Sequence, residues 1–94
     1  MTKYKILFDK HYIKDLEKIP LKFRENIREK VLALSTNPRP DDSVKLSNSK
    51  NPPLYRIRCG DYRIIYTIED KVLIIVIIEL GHRKDLSGSL ASFS

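Results

Sequence analysis

Arg56 and Arg58 stand two residues apart in the run Leu54-Tyr55-Arg56-Ile57-Arg58. In an extended strand alternate side chains leave by the same face, so the two guanidinium groups emerge together while Tyr55 and Ile57 turn to the other side. Arg63 follows just past Gly60-Asp61, at the start of the next apolar run, and Arg83 comes directly after the run that closes at Leu80-Gly81. Three neighbouring strands would therefore deliver four guanidinium groups to one concave patch. Arginine suits the binding of phosphate oxygens because its planar fork makes paired hydrogen bonds and its charge is permanent. Periodicity alone leaves a second reading open, in which the same arginines are surface residues offsetting Asp61, Glu69 and Glu79. Lys45 and Lys50, in the segment entering these strands, and Lys84 beside Arg83 would touch backbone phosphate without specifying sequence. Tyr62 and Tyr66 share a strand face with Ile64 and Ile68, which makes them core or rim residues first; Tyr62 is a secondary candidate for stacking on a base.

Other chemistries find little support. His11 and His82 are far apart in sequence, and Cys59 has no carboxylate or histidine at ligand spacing, so no metal site is expected. The three glycines, Gly60, Gly81 and Gly88, are isolated and make no phosphate-cradling loop. Cys59 reads as a small strand-end filler, since nothing marks it as a nucleophile.

The elements that must hold the arginines are legible from the hydrophobic period. Tyr4, Ile6 and Phe8 alternate with Lys5, Leu7 and Asp9, which predicts a first strand. Ile13, Leu16 and Ile19 then fall at spacings of three, on one side of a helix whose other side carries Lys14, Asp15, Glu17 and Lys18. Pro20 ends this helix and opens the next, which keeps Phe23, Ile27, Val31 and Leu34 at helical spacing and leaves Arg24, Glu25, Arg28 and Glu29 outward. The Asn37-Pro38-Arg39-Pro40 segment stops it, because a residue before proline leaves the helical region and proline has no donor. Val44 to Leu46 continues as extended chain. Leu54 to Arg58, Tyr62 to Glu69 and Val72 to Leu80 are strands whose short connections force antiparallel neighbours. Gly81 ends the last strand, with a helical turn expected over His82 to Leu86. The order is β-α-α-β-β-β, an α+β fold in which an antiparallel sheet packs against a helix hairpin.

Length and charge bound the answer. Ninety-four residues make one domain with one core. Eighteen basic against 12 acidic residues leave a net charge of +6, and the pI near 9.6 favours an anionic partner. A single cysteine, the lack of a basic leader followed by an apolar stretch, and a longest apolar run of seven residues (Val72 to Ile78) give the expectation of a cytoplasmic protein with no membrane contact.

Taken together, the segment Leu54-Tyr-Arg-Ile-Arg-Cys-Gly-Asp-Tyr-Arg-Ile-Ile-Tyr-Thr-Ile-Glu-Asp-Lys71, the aliphatic strand after it and Gly81-His82-Arg83-Lys84-Asp85 resemble the RelE branch of the RelE/ParE toxin superfamily. The β-α-α-β-β-β order matches as well. The resemblance runs from about Tyr4 to Leu86, strongly after Lys45 and in pattern before it. It implies a toxin domain over residues 1–86, with residues 87–94 as a polar tail. It further implies the toxin of a type II toxin-antitoxin pair, acting without metal or cofactor as a ribosome-dependent endoribonuclease that cuts mRNA and inhibits translation. The implied partners are a cognate antitoxin and the ribosome with mRNA in its decoding site. The family's catalytic roles fall on Arg56, Arg58, Arg63 and Arg83.

Cleavage of RNA by its own 2′-hydroxyl needs that hydroxyl activated, the transition state neutralised and the leaving 5′-oxygen protonated. Arginines serve the second need; a guanidinium that stays protonated is a poor base. The best-known toxins of this branch carry lysines where this sequence has Arg56 and Arg58, which shifts the pair toward electrostatic stabilisation. His82 is the side chain in this set that titrates near neutrality, so it either assists proton transfer or only binds phosphate. Cleavage undiminished in His82→Ala would remove the first role. One departure stands out: many relatives place a tyrosine four to six residues after the final arginine, where this chain has Ser87, Gly88 and Ser89. Either activity is weakened, another aromatic such as Tyr62 or Phe93 substitutes, or the terminus has diverged from the working pattern. The alternatives are a ParE-like toxin that poisons DNA gyrase and a degenerate toxin that binds ribosome or antitoxin without cutting.

Overall fold

A computed structural model describes residues 3–46 and 53–82. Seven elements follow in order: β1 (Lys5–Phe8), α1 (Lys10–Glu17), α2 (Leu21–Ala33), β2 (Val44–Lys45), β3 (Leu54–Cys59), β4 (Tyr62–Glu69) and β5 (Ile74–His82). The strands form one sheet in the order β1-β5-β4-β3-β2. Strands β2 to β5 pair antiparallel, as their short connections require. The sheet is nevertheless mixed, because β1 lies parallel to β5. Two helices carry the chain between β1 and the rest of the sheet, so the first strand is free to join the far edge in the parallel sense.

Asp9 starts α1 by accepting the His11 amide at 2.9 Å, satisfying one of the donors that a helix start leaves unpaired. Pro20 lies in extended conformation at the head of α2. Arg24 does not point outward as its position in the period predicts: its Nε donates to the Ile19 carbonyl at 2.7 Å and its Nη2 to the Glu17 carbonyl at 2.6 Å. It thereby satisfies carbonyls that the end of α1 would otherwise leave open, and fixes the angle of the hairpin. The phase of α1 also differs from the expectation. Tyr12 is the residue it buries, at 3% exposure, whereas Ile13 is 50% exposed. The stripe facing the sheet is Tyr12, Leu16 and Ile19, at spacings of four and three, with Phe8 stacked on Tyr12 at 5.4 Å.

The core lies between the helices and one face of the sheet. Ile27, Val31 and Leu34 of the hairpin meet Tyr55, Ile57, Ile64, Tyr66, Ile68, Ile75, Ile77 and Leu80. At the sheet end remote from Gly60, Arg39 spans Asp70 with both terminal nitrogens, at 2.8 and 3.3 Å, and donates from Nε to the Tyr55 hydroxyl at 3.2 Å. The Tyr4 hydroxyl donates to the same carboxylate at 2.7 Å, and the Tyr66 hydroxyl donates to the Pro38 carbonyl at 2.8 Å. This group of side chains ties the segment after α2 to the sheet.

The last strand differs from its predicted bounds. It begins at Ile74, because residues 70–73 form the turn and Leu73 takes a left-handed φ of 56° there. It runs on through Gly81 to His82, which stands in register with Tyr62, so the expected helical turn does not begin at His82. A bulge interrupts the pairing of β4 with β5: Tyr66 faces Ile77, but its neighbour Ile65 faces Glu79. The extra residue lets Ile77 and Leu80, three apart, both enter the helix-side core.

Candidate functional site

Opposed residues in an antiparallel pair share a face, so the register fixes which side chains meet. Arg58 stands opposite Arg63, and Arg56 stands opposite Ile65. The three arginines therefore converge on the sheet face that the helices leave open, at the end bounded by the Gly60-Asp61 turn. Gly60 has φ 61°, the left-handed conformation that allows a two-residue hairpin here without strain. Ile65, fully buried, and Leu54 and Thr67, nearly so, floor the same face.

This cluster concentrates positive charge that no ion pair among the described residues offsets. No carboxylate forms an ion pair with Arg56, Arg58 or Arg63 among the described residues. The Nε atoms of Arg56 and Arg63 are buried and have no hydrogen-bond partner. Burial, then the charges of Arg63 and Arg58, push the Arg56 guanidinium below its ordinary value. The group remains charged; what the shift records is desolvation and like-charge repulsion that a bound phosphate would relieve.

Other candidates lie elsewhere. Tyr62 and His82 are paired in register, and Tyr62 is opposite Cys59, so all three take the helix-bearing face. His82 thus stands at the same end of the sheet as the arginines but on its other side. The reason is parity: Tyr62 precedes Arg63 by one residue, and the pairing carries that offset across to β5. The Tyr62 and His82 rings meet edge to face at 5.6 Å, and Phe23 lies 5.9 Å from Tyr62. With Asn26, Cys59 and Asp61 they line an open cavity of about 420 Å³. Burial pushes the Cys59 thiol up, which suits a filler and not a nucleophile. Lys45 is exposed on edge strand β2 opposite Tyr55, so it too belongs to the helix-side face. Lys50, Arg83, Lys84 and the polar tail lie outside the described residues.

One member of the arginine face entered the sequence reading only as a charge that the arginines offset. Glu79, opposite Ile65, is brought there by the bulge, and its Oε2 is buried without a partner. The signal was the loss of alternation in Ile77-Ile78-Glu79-Leu80, where two apolar residues three apart cannot both face the core unless the strand bulges. No group of three or more potential metal-binding side chains occurs among the described residues, and no helix there is long and apolar enough to cross a membrane.

Comparison with known proteins agrees with this geometry. A family model described as the ParE toxin of type II toxin-antitoxin systems, parDE, matches residues 6–86. The chain is 29% identical over 76 residues to a putative RelE1 toxin of Methanocaldococcus jannaschii, covering 78% of this chain and 84% of that one. It is 25% identical over 81 residues to the mRNA interferase toxin RelE of Escherichia coli, covering 86% and 84%. Among solved structures, the archaeal RelE-RelB complex of Pyrococcus horikoshii superposes with a TM-score of 0.78 at 31% identity, over 89% of this chain and 99% of that one. The RelBE2 toxin-antitoxin complex of Mycobacterium tuberculosis does so with 0.74 at 28% identity, over 90% and 97%.

Proposed function

The chain belongs to the RelE/ParE toxin superfamily and is the toxin of a type II toxin-antitoxin system; from that premise we propose that it is an mRNA interferase, an endoribonuclease that cuts mRNA on the ribosome. The observation that carries this reading is the trio Arg56, Arg58 and Arg63, converging on the sheet face away from the helices, with the Nε atoms of Arg56 and Arg63 buried and unpartnered. A scissile phosphodiester laid across them would receive charge-assisted hydrogen bonds at its non-bridging oxygens. These bonds strengthen as the pentavalent transition state gathers negative charge. Arg83 is assigned to the same phosphate by the family resemblance. His82 and Tyr62, round the sheet end, are assigned to a neighbouring nucleotide, with the Phe23-lined cavity beneath them.

Relatives of this chain are solved as complexes with RelB antitoxins, and a cognate antitoxin is the protein partner we assign here. The family model that matches carries the name ParE, so inhibition of gyrase is the reading to be tested beside this one. Mapping of mRNA ends in a translating extract, run in parallel with a gyrase supercoiling assay, separates them. The wild-type chain is expected to create new ends within open reading frames and to leave supercoiling untouched. Arg83→Ala is expected to lose about 10²-fold or more, the usual cost of one lost transition-state donor. Inhibited supercoiling with intact mRNA would overturn the proposal.

A further inference from the structure

The arginines supply charge but cannot readily accept a proton, and the structure places one candidate acceptor on their face. On that face β3, β4 and β5 present the row Arg56, Ile65, Glu79, with Arg58 and Arg63 in the next row. At a strand spacing of about 4.8 Å, the backbone positions of Arg56 and Glu79 lie about 10 Å apart, with the fully buried Ile65 between them.

Glu79 reaches this face only because of the bulge. In unbroken alternation from Ile77, it would enter the helix-side core with Ile75 and Ile77, where a carboxylate has no partner. Bulges cluster beside active sites, where they re-aim a side chain. Here the irregularity delivers a carboxylate onto the face that carries the arginines, yet no ion pair joins it to them among the described residues. Its Oε2 is buried and accepts nothing. A carboxylate placed only to balance charge would be expected to pair with Arg56 or Arg63, whose Nε atoms are likewise unpartnered. An acceptor and two donors, all unsatisfied on one sheet face, call for a partner that has both a hydroxyl to donate and anionic oxygens to accept. A ribose 2′-hydroxyl with its 3′-phosphate has that pattern.

We infer that Glu79 is a catalytic residue, the proton acceptor for the attacking 2′-hydroxyl of the mRNA. This rests on the ribonuclease reading above. Glu79 takes the hydroxyl proton as O2′ forms its bond to phosphorus. The bond from phosphorus to O5′ breaks, its electron pair goes to O5′, and O5′ takes a proton from a solvent water; the proton on Glu79 then returns to the resulting hydroxide. The products are a 2′,3′-cyclic phosphate and a 5′-hydroxyl. Arg56, Arg58 and Arg63 hold the phosphate throughout.

The test is single-turnover cleavage of mRNA on programmed ribosomes by the full chain, with Glu79→Gln and Glu79→Asp beside wild type. Glu79→Gln is expected to cut at least 10²-fold more slowly, in the range a positioned general base supplies, with ribosome affinity and unfolding temperature unchanged. Glu79→Asp, which keeps a carboxylate, is expected to lie between the two. A substrate with sulfur in place of the scissile O5′ leaves without a proton, so it should not restore Glu79→Gln. Three results overturn the inference: a wild-type rate in Glu79→Gln, full restoration by the sulfur leaving group, or equal losses in both variants with lowered unfolding temperatures. A wild-type chain that cuts no mRNA removes the ribonuclease reading itself, and this inference with it.

Discussion

Arg58 and Arg63 are directly opposed on adjacent strands, a placement that selection for stability alone would avoid, since like charges in such a pair repel. Arg56 feels both, and burial beside them, as its lowered guanidinium value records. With the arginines acting on phosphate as proposed, function and stability are opposed at these residues. Arg58→Ala is expected to hold or raise unfolding free energy, by up to about 0.5 kcal/mol on the scale of cross-strand pairs, while cleavage falls by about 10²-fold or more. Urea unfolding beside the end-mapping assay checks both directions, and a variant that is both less stable and fully active contradicts the assignment. The pairing of Arg56 with Arg58 was legible because a period of two needs no knowledge of neighbours. The side taken by His82 was not, because it depends on register passed through β4, and neither was Glu79, whose face is set by a bulge.

Among the elements, the helix hairpin is held by polar side chains that hydrophobic spacing cannot reveal. Arg24 turns back onto the end of α1. Arg39 joins the segment after α2 to Asp70, and through it to Tyr4. The Asp70 carboxyl is held below its ordinary value first by the Arg39 hydrogen bonds and then by that of Tyr4. The sign follows from linkage: a carboxyl depressed on folding contributes stability that is present above its unfolded value, near 3.9, and is lost as pH falls through the lower folded value. Asp9, depressed by the His11 amide and ring, acts in the same sense. Wild type is accordingly expected to lose more urea resistance than Arg39→Ala between about pH 5 and pH 2, so that the two curves converge in acid. Parallel curves over that range would mean that the Arg39 contact does not couple to folding. The helices themselves were readable from their period. The phase of α1 was not, since Ile13 and Tyr12 are both apolar enough to be buried and the choice between them is made by the packing of Phe8 and Leu16.

At the scale of the whole molecule, a net charge of +6 on 94 residues draws the protein to any polyanion. Charge alone therefore cannot tell a phosphate site from a basic surface. Salt can, because each arginine that neutralises a phosphate displaces condensed counterion, and on single-stranded RNA each such contact adds about 0.7 to the slope of log affinity against log salt. If Arg56, Arg58 and Arg63 act on backbone phosphate, replacing all three with alanine should lower the slope for a single-stranded RNA by about 2. Replacing three exposed basic residues of the helix-side surface, such as Lys10, Lys14 and Lys22, should lower it far less. Fluorescence titration between 50 and 200 mM salt measures both. Equal changes in the two triple variants would return the arginines to ordinary surface, the alternative their spacing left open. An antitoxin that neutralises the toxin by covering this face would compete with RNA for the same charges. Its affinity should then fall in the arginine variant along with RNA binding, whereas an antitoxin seated only on the helices would bind the variant as it binds wild type.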